Sequence, residues 1–513
     1  MLRRRRLLLT GVMLVVAGSL GATAGYGLHL RSDRYLRRTQ AQLSAFFELP
    51  CDIGGIAPLT FSSRLFSDVT VWLPDRRDPV FRCAEAVWHE GRDRGQTTCR
   101  LELSRGTFAI ASDAWGREDY ARVLRSGLGH DFDAIRLDEV RLHDFAVEFR
   151  HDMFRLDCRR ADGVITFGDN GDSLARLSAA EFNGVLMAEP VLIAARFSPE
   201  RGVVLHEVVL TLPEIPLANV GIDGVLRTRL TRGRFSGRVE YTQDDGPAAR
   251  VAGRLSDLSL EEVTRGMEIG PLRGVLDVAV DDMRIADRLV THLAARGQLS
   301  DLRLEDVGRM IGEPRLRGRA DLNLRAVDAA LGHLNRLAFD GVVTEVPIEP
   351  LCAMLGQGAM TGELAVRINA LRVVRDEIEW ADIEIDASPP AGRIGTIDRE
   401  LLMTGVRGVL GEEWTARLPV HLLPEQIEYA QCGVRLNVRN NRLRVLGTHG
   451  PARDQILTLR VLGQELPVVR TLRREFDLTP VLREWRDAVA SKDPRRWGPT
   501  LRNWWSATQP NGR

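Results

Sequence analysis

Lysine is nearly missing from this 513-residue chain: Lys492 is the single one among 70 basic residues, and arginine carries the rest. The 70 basic residues are matched by 70 acidic ones, so formal net charge is zero and no global basic field draws the chain toward nucleic acid. None of the six cysteines (Cys51, Cys83, Cys99, Cys158, Cys352, Cys432) stands in a CxxC pair, which leaves zinc and thioredoxin-like readings without support. There is no GxSxG elbow, HExxH helix, Walker A loop, or GxGxxG opening a helix. Three His-Asp dipeptides, His130-Asp131, His143-Asp144 and His151-Asp152, invite comparison with metal-dependent phosphohydrolases. His143 and His151 lie within and at the end of an alternating run, however, where ligands do not converge on a pocket. The expectation is a protein that is not an enzyme and uses no cofactor or metal. Apolar content of 44% and charged content of 27% are those of a folded chain, which excludes wholesale disorder.

What the sequence does contain begins at its N-terminus. Arg3 to Arg6 precede a run without formal charge from Leu7 to Leu30. As a helix rising ~1.5 Å per residue, that run spans a hydrocarbon core of ~30 Å. The arginines stay cytoplasmic by the positive-inside rule, so the expectation is a single-pass membrane anchor over residues 1–31 with the bulk of the chain across the membrane. A cleaved signal peptide is the competing reading, because Ala22-Thr23-Ala24 fits a small-x-small cleavage site. Either way the bulk is exported, to a compartment that permits disulfides. Cys83 and Cys99 flank an expected hairpin turn at HEGRDRGQ and form the candidate pair; buried free thiols are the other possibility. Residues 32–50 read as an amphipathic helix with Tyr35, Leu36, Leu43, Phe46 and Phe47 as its apolar members.

From Cys51 onward the texture changes to short alternating runs such as DVTVWL and CRLELSRG, the pattern of sheet with one dry and one wet face. In RLDEVRLHDFAVEFR the phase slips at His143-Asp144, which predicts a bulge or bend.

The central region repeats itself. GRLSDLSLEEV (Gly253 to Val263), GQLSDLRLEDV (Gly297 to Val307) and GVVTEVPIEPL (Gly341 to Leu351) follow one another at a spacing of 44 residues. Leu258, Leu302 and Val346 match, as do Leu260, Leu304 and Ile348, and then Val263, Val307 and Leu351. Spacings of two and then three suit an extended segment turning into a short helix. Glycines 274, 318 and 362 follow, each leading an alternating strand. The apolar places of those strands are Leu276, Val278 and Val280, then Ala320, Leu322 and Leu324, then Leu364, Val366 and Ile368. A shorter, degenerate copy is expected at LPEIPLANVGIDGVLRTRL, and a unit of 44 residues has room for about three strands and one short helix. These units have no long amphipathic helix to cover their apolar face, so the sheet must curl on itself, meet a partner, or hold something apolar.

With the arginine-flanked anchor, the helix after it, the strands from CDIGGIAPLTFSSRLFSDVTVWL, and the segments LPEIPLANV, LSDLSLEEV and VPIEPLCAML each followed by a glycine-led strand, the chain resembles the AsmA-like envelope proteins. That family shares a repeating β-groove with bridge-like lipid transfer proteins. The resemblance covers most of the chain from Leu2 to about Val468. It implies a mainly β fold, an elongated, curved antiparallel β-sheet groove built from repeats with short helices, behind an N-terminal transmembrane helix in the inner membrane, with the bulk of the chain in the periplasm. It also implies an apolar concave face that holds acyl chains of phospholipid or another acyl lipid, lined by the nine residues just named. The expected role is lipid transport in cell-envelope biogenesis and outer-membrane assembly, with an envelope protein as a possible partner and no nucleic acid. The alternative is a non-enzymatic envelope scaffold whose repeats close into a dry core.

The expected organisation is an anchor at 1–31, a juxtamembrane helix at 32–50, an N-terminal β-rich region at 51–205, the repeat region at 206–385, a C-terminal β region at 386–470 and a closing segment at 471–513. In that last segment Trp485, Trp497, Trp504 and Trp505 stand with Arg495, Arg496 and Arg502. It reads either as a cap on the open end of the groove or as a contact with an anionic membrane.

Overall fold

A computed structural model describes residues 25–479, apart from short breaks and two longer ones at 112–134 and 404–422. The chain is mainly strand and forms two compact units, Met1–Leu226 with Phe235–Arg250, and Arg227–Arg234 with Val251–Arg513.

In the first unit, β1 (Cys51–Asp52) and β2 (Gly55–Pro58) both pair with β3 (Ser63–Trp72). From β3 the sheet runs through β4 (Pro79–Asp93), β5 (Gln96–Ala111), β6 (Ile135–His151), β7 (Phe154–Phe167), β8 (Ser173–Phe182), β9 (Val185–Ser198) and β10 (Val204–Pro216), each paired with the strand before it. All these pairings are antiparallel except β5 with β6, which run parallel. The expected wholly antiparallel sheet is corrected at that one place, where the chain must cross over and 23 residues separate the strand ends rather than a tight turn. The phase slip at His143-Asp144 is a bulge: the β6–β7 register shifts between Leu142 and Phe145, and Asp144 has φ +51°. Helix α1 (Asp33–Phe47) packs Tyr35, Leu36 and Leu43 onto a core that includes Leu49, Ile53, Val71 and Phe145.

The expected Cys83–Cys99 bridge does not form, and all six thiols are free. The two cysteines do flank the β4–β5 hairpin, but Cys99 lies opposite Glu90 and Cys83 opposite Gly106. Seven residues of strand at ~3.3 Å each therefore separate Cys83 from the partner position of Cys99, far beyond disulfide reach. Burial pushes the Cys51 and Cys432 thiols up to about 11 and those of Cys99 and Cys158 up to about 12.

The chain divides near β11 (Arg234–Thr242) and β12 (Ala248–Ser259). The second unit is built on β13 (Val275–Ala286), β14 (Leu289–Arg303), β15 (Arg319–Ala330), β16 (His333–Pro347), β17 (Glu363–Val374) and β18 (Glu377–Ser388), an antiparallel meander. After β19 (Gly395–Asp398), β20 (Gln426–Arg439) pairs along β18. β19, β21 (Arg442–Gly447) and β22 (Gln455–Val461) also pair with β20, while β23 (Gln464–Arg470) pairs with β22 and β24 (Glu475–Asp477) with β21. The short helices α2 (Leu260–Thr264), α3 (Leu304–Ile311) and α4 (Ile348–Leu355) interrupt the strands.

The 44-residue repeat is carried by backbone hydrogen bonds as well as by side chains. The first N–H of each helix donates to a glycine carbonyl: Leu260 to Gly274 (3.1 Å), Leu304 to Gly318 (3.1 Å) and Ile348 to Gly362 (3.0 Å). Asp257, Asp301 and Glu345 take the same left-handed conformation, with φ of +54°, +54° and +59°. The Asp257 amide donates to Asp277 Oδ1 and that of Asp301 to Asp321 Oδ1, at 2.9 and 2.7 Å. In the third copy Ala365 occupies the acceptor's place. Asp144 and Asp162 make the same bond in the first unit (3.1 Å). At the degenerate upstream copy β10 ends in a single 3-10 turn at Leu217–Asn219, and residues 221–229 lie outside the described residues.

Each repeat holds two strands and one helix rather than three strands, because the strands run to 12 or 15 residues. Bulges make that length possible. Register shifts fall at Val280/Asp282, Ala295/Gly297, Leu324/Ala326, Phe339/Gly341 and Ile368/Ala370, one of the two in each successive pairing, so neighbouring strands bend together. Gly297 and Gly341 sit at these bends, where an added Cβ would lie 2.2 Å from the carbonyl oxygens of Asp277 and Asp321. Gly341→Ala is expected to lower stability by about 2 kcal/mol in urea melts, because backbone has to move. Gly274→Ala, whose nearest contact is 3.3 Å, should have a smaller effect, and equal melts for the two would sink this account.

Candidate apolar binding face

Directly opposed residues in an antiparallel pair share one face of the sheet. Leu276 opposes Leu299, and the same row continues through Leu322, Gly341, Ile368, Ile383 and Leu436. The next row runs Val278, Gly297, Leu324, Phe339, Leu371, Ala381 and Val438. Beyond it lie Val280, Ala295, Val327, Leu337, Val373 and Ile378. On the other side are Ala320, Val343, Val366, Ile385 and Val434, and then Val346, Leu364, Ala387 and Cys432. Every position in these five rows is apolar or glycine. At ~4.8 Å per strand the face is about 30 Å across from β13 to β20.

The nine residues selected by the repeat therefore fall on one face, in three environments. Val280 and Ala320 are buried, at 6% and 3% exposure. Leu364 packs against a second core that includes Ile348, Cys352, Ile397, Leu402 and Tyr429, so α4 and β19 close that end. Leu276, Val278, Leu322, Leu324, Val366 and Ile368 remain half-buried. Helices α2 and α3 begin at strand ends, held by the glycine carbonyls above. The alternation of the intervening strands gives the residues that the repeat left out. GVRLNVR places Val434, Leu436 and Val438 on the face, and DIEID places Ile383 and Ile385 there.

The reverse face carries the charge. Asp321, Val342, Arg367, Glu384 and Arg435 lie in one register row there. Arg435 Nε donates to Asp382 at 2.7 Å, and Arg325 pairs with Asp340. The Arg325 guanidinium, helped by the Asn323 amide, holds the Asp340 carboxyl below the usual carboxylate range. One side of the same strands is thus a network of charges and the other an uncharged surface, an arrangement suited to recognising an apolar ligand by area rather than by any single polar contact.

Other expectations fall elsewhere. His143 is exposed on the β6 bulge, 3.8 Å from Asp162, and the side chains of His130 and His151 lie outside the described residues. Among the described residues no three His, Cys, Asp or Glu side chains come together as metal ligands. Residues 1–24, most of the expected anchor, and 480–513, most of the Trp- and Arg-rich segment, also lie outside them. Among the described residues no helix is long and apolar enough to cross a membrane.

Comparison of the chain with protein-family models, curated proteins and solved structures finds no match.

Proposed function

We propose that the apolar face of the second unit binds lipid acyl chains, and that the protein is an inner-membrane-anchored, periplasmic lipid carrier of the AsmA-like kind. The observation that carries this is the register continuity of the face: five apolar rows with no charged side chain, six of the nine selected residues half-buried. Such a surface is unfavourable in water, and each methylene placed against it recovers ~0.8 kcal/mol. A groove of this kind loads by contact and needs no nucleotide site of its own.

A closed envelope scaffold is the second reading, favoured by the dry core under α4 at one end of the face. Native mass spectrometry with lipid extraction separates the two. The full chain, purified in mild detergent beside a detergent-only control, is expected to carry phospholipid. A stable chain free of lipid, with detergent equally absent, would make the scaffold the better account.

A further inference from the structure

The first unit exposes a second apolar surface, unrelated to the rows above. In the turn between β2 and β3, Leu59 is 53% and Phe61 76% exposed, and Leu28, just before α1, is 73% exposed. These residues belong to one locale. The Tyr26 and Phe61 rings lie 6.3 Å apart, and a Cβ added at Gly27 would lie 3.7 Å from the ring of Pro58, the last residue of β2. Tyr35 on α1 accepts a hydrogen bond from Arg64 on β3 at 3.1 Å, and Arg64 in turn pairs with Glu90 on β4 at 3.3 Å. The turn and the start of α1 are thereby fixed to the same sheet edge.

Around this locale the unpaired charge is mostly positive. Arg31, Arg34, Arg37 and Arg38 are all exposed, and among the described residues none of them has a carboxylate partner. Asp33 is the only acid between Gly25 and Phe47, and residues 59–62 carry no charge. Elsewhere in the molecule exposed arginines commonly find partners, as Arg105 does with Glu85 and Arg444 with Glu475. Exposed aromatic and leucine tips beside unpaired arginines match the interface of an anionic bilayer, which takes the rings at headgroup depth and the guanidiniums at phosphate. The uncharged run that begins at Leu7 leads directly into this locale, so the anchor proposed above would set the same end of the unit against the same surface.

We infer that residues 59–62, together with residues 26–38, form a foot that seats the first unit on anionic phospholipid headgroups. The foot deepens the membrane part of the proposed function and does not depend on the lipid-binding part.

The test uses the full chain with Phe61→Cys, labelled with an environment-sensitive nitrobenzoxadiazole dye and reconstituted in vesicles of phosphatidylethanolamine and phosphatidylglycerol. The native thiols of Cys51, Cys99, Cys158 and Cys432 are held protonated by burial, so the new surface thiol takes the label. A label at Leu462, fully exposed in the second unit, is the reference. The foot predicts blue-shifted emission at 61, quenched by lipids brominated near the headgroup, with water-like emission at 462. Replacing Arg31, Arg34, Arg37 and Arg38 by glutamine should return the emission at 61 toward that of water. Water-like emission at 61 in membrane-bound chain overturns the foot, and a shift equally strong in phosphatidylcholine vesicles overturns its anionic preference. Leu59→Cys gives an independent label should the substitution at 61 disturb folding. Carbonate extraction reads the anchor separately: chain that shows the shift while membrane-bound but is then stripped by carbonate fails the anchor and keeps the foot.

Discussion

Asp306→Ala should destabilise the second unit by about 3 kcal/mol, the scale expected when a buried carboxylate that accepts several hydrogen bonds is removed. The Asp306 side chain is fully buried within α3. It accepts from the Arg273 backbone N–H at 2.8 Å, from Arg273 Nε and Nη2 at 2.9 and 3.0 Å, and from Arg309. It thereby clips α3 to the residues leading into β13. Burial alone would raise this carboxyl, but the hydrogen bonds from Arg273 and Arg309 outweigh it and hold the pKa at about 2. A carboxyl depressed from its ordinary value near ~4 contributes stability that is complete above pH ~4 and lost as the pH falls toward ~2, here about 2 kcal/mol. Urea melts of the parent should therefore weaken between those pH values, and those of Asp306→Asn should lose that part of the slope. Superimposable acid profiles for parent and variant would show that the clip contributes nothing.

The clip also shows how much of this fold the sequence discloses. Glu262, 44 residues earlier, plays the same part, accepting from the Thr231 and Arg232 backbone N–H groups at 2.6 and 3.1 Å. Pro350 takes the third place and cannot accept, and α4 is held instead by apolar burial against Tyr429 and Leu402. The repeat and its strands were legible because an exact interval leaves the same apolar places in each copy, and the structure starts β13, β15 and β17 at 275, 319 and 363. The intervening strands were less legible. In them Gly297 and Gly341 take the place of an apolar side chain, since close backbone approach at the bends leaves no room for one. The β5–β6 parallel crossover and the separation of Cys83 from Cys99 depend on long-range register, which local alternation does not encode. The foot was missed for a different reason: two apolar residues in a four-residue turn carry no periodicity, and only their exposure marks them.

The largest functional effect is expected from Val278→Asp combined with Leu322→Asp. Val278 lies opposite Gly297 on β14 and Leu322 lies opposite Gly341 on β16, so the two substitutions put carboxylates in adjacent apolar rows near the middle of the face. Both side chains are half-buried, so the new charges keep access to water and the sheet keeps its backbone pairing. An acyl chain laid across the rows would have to desolvate them, and an unpaired buried carboxylate carries a penalty of several kcal/mol, larger than the gain from several methylenes. Co-purifying phospholipid should fall at least tenfold while the circular dichroism of the sheet is retained. The reverse face supplies the control, since Asn323→Asp and Ala365→Asp add the same charge to β15 and β17 of the same sheet on the side that already carries it, and should leave lipid content unchanged. If the face-directed pair disturbs folding, Val278→Trp with Leu322→Trp fills the surface without adding charge and should displace lipid by volume. Full lipid content in a folded Val278→Asp, Leu322→Asp protein would mean that the apolar rows are not where lipid sits, and the closed scaffold would then be the better account of the repeat.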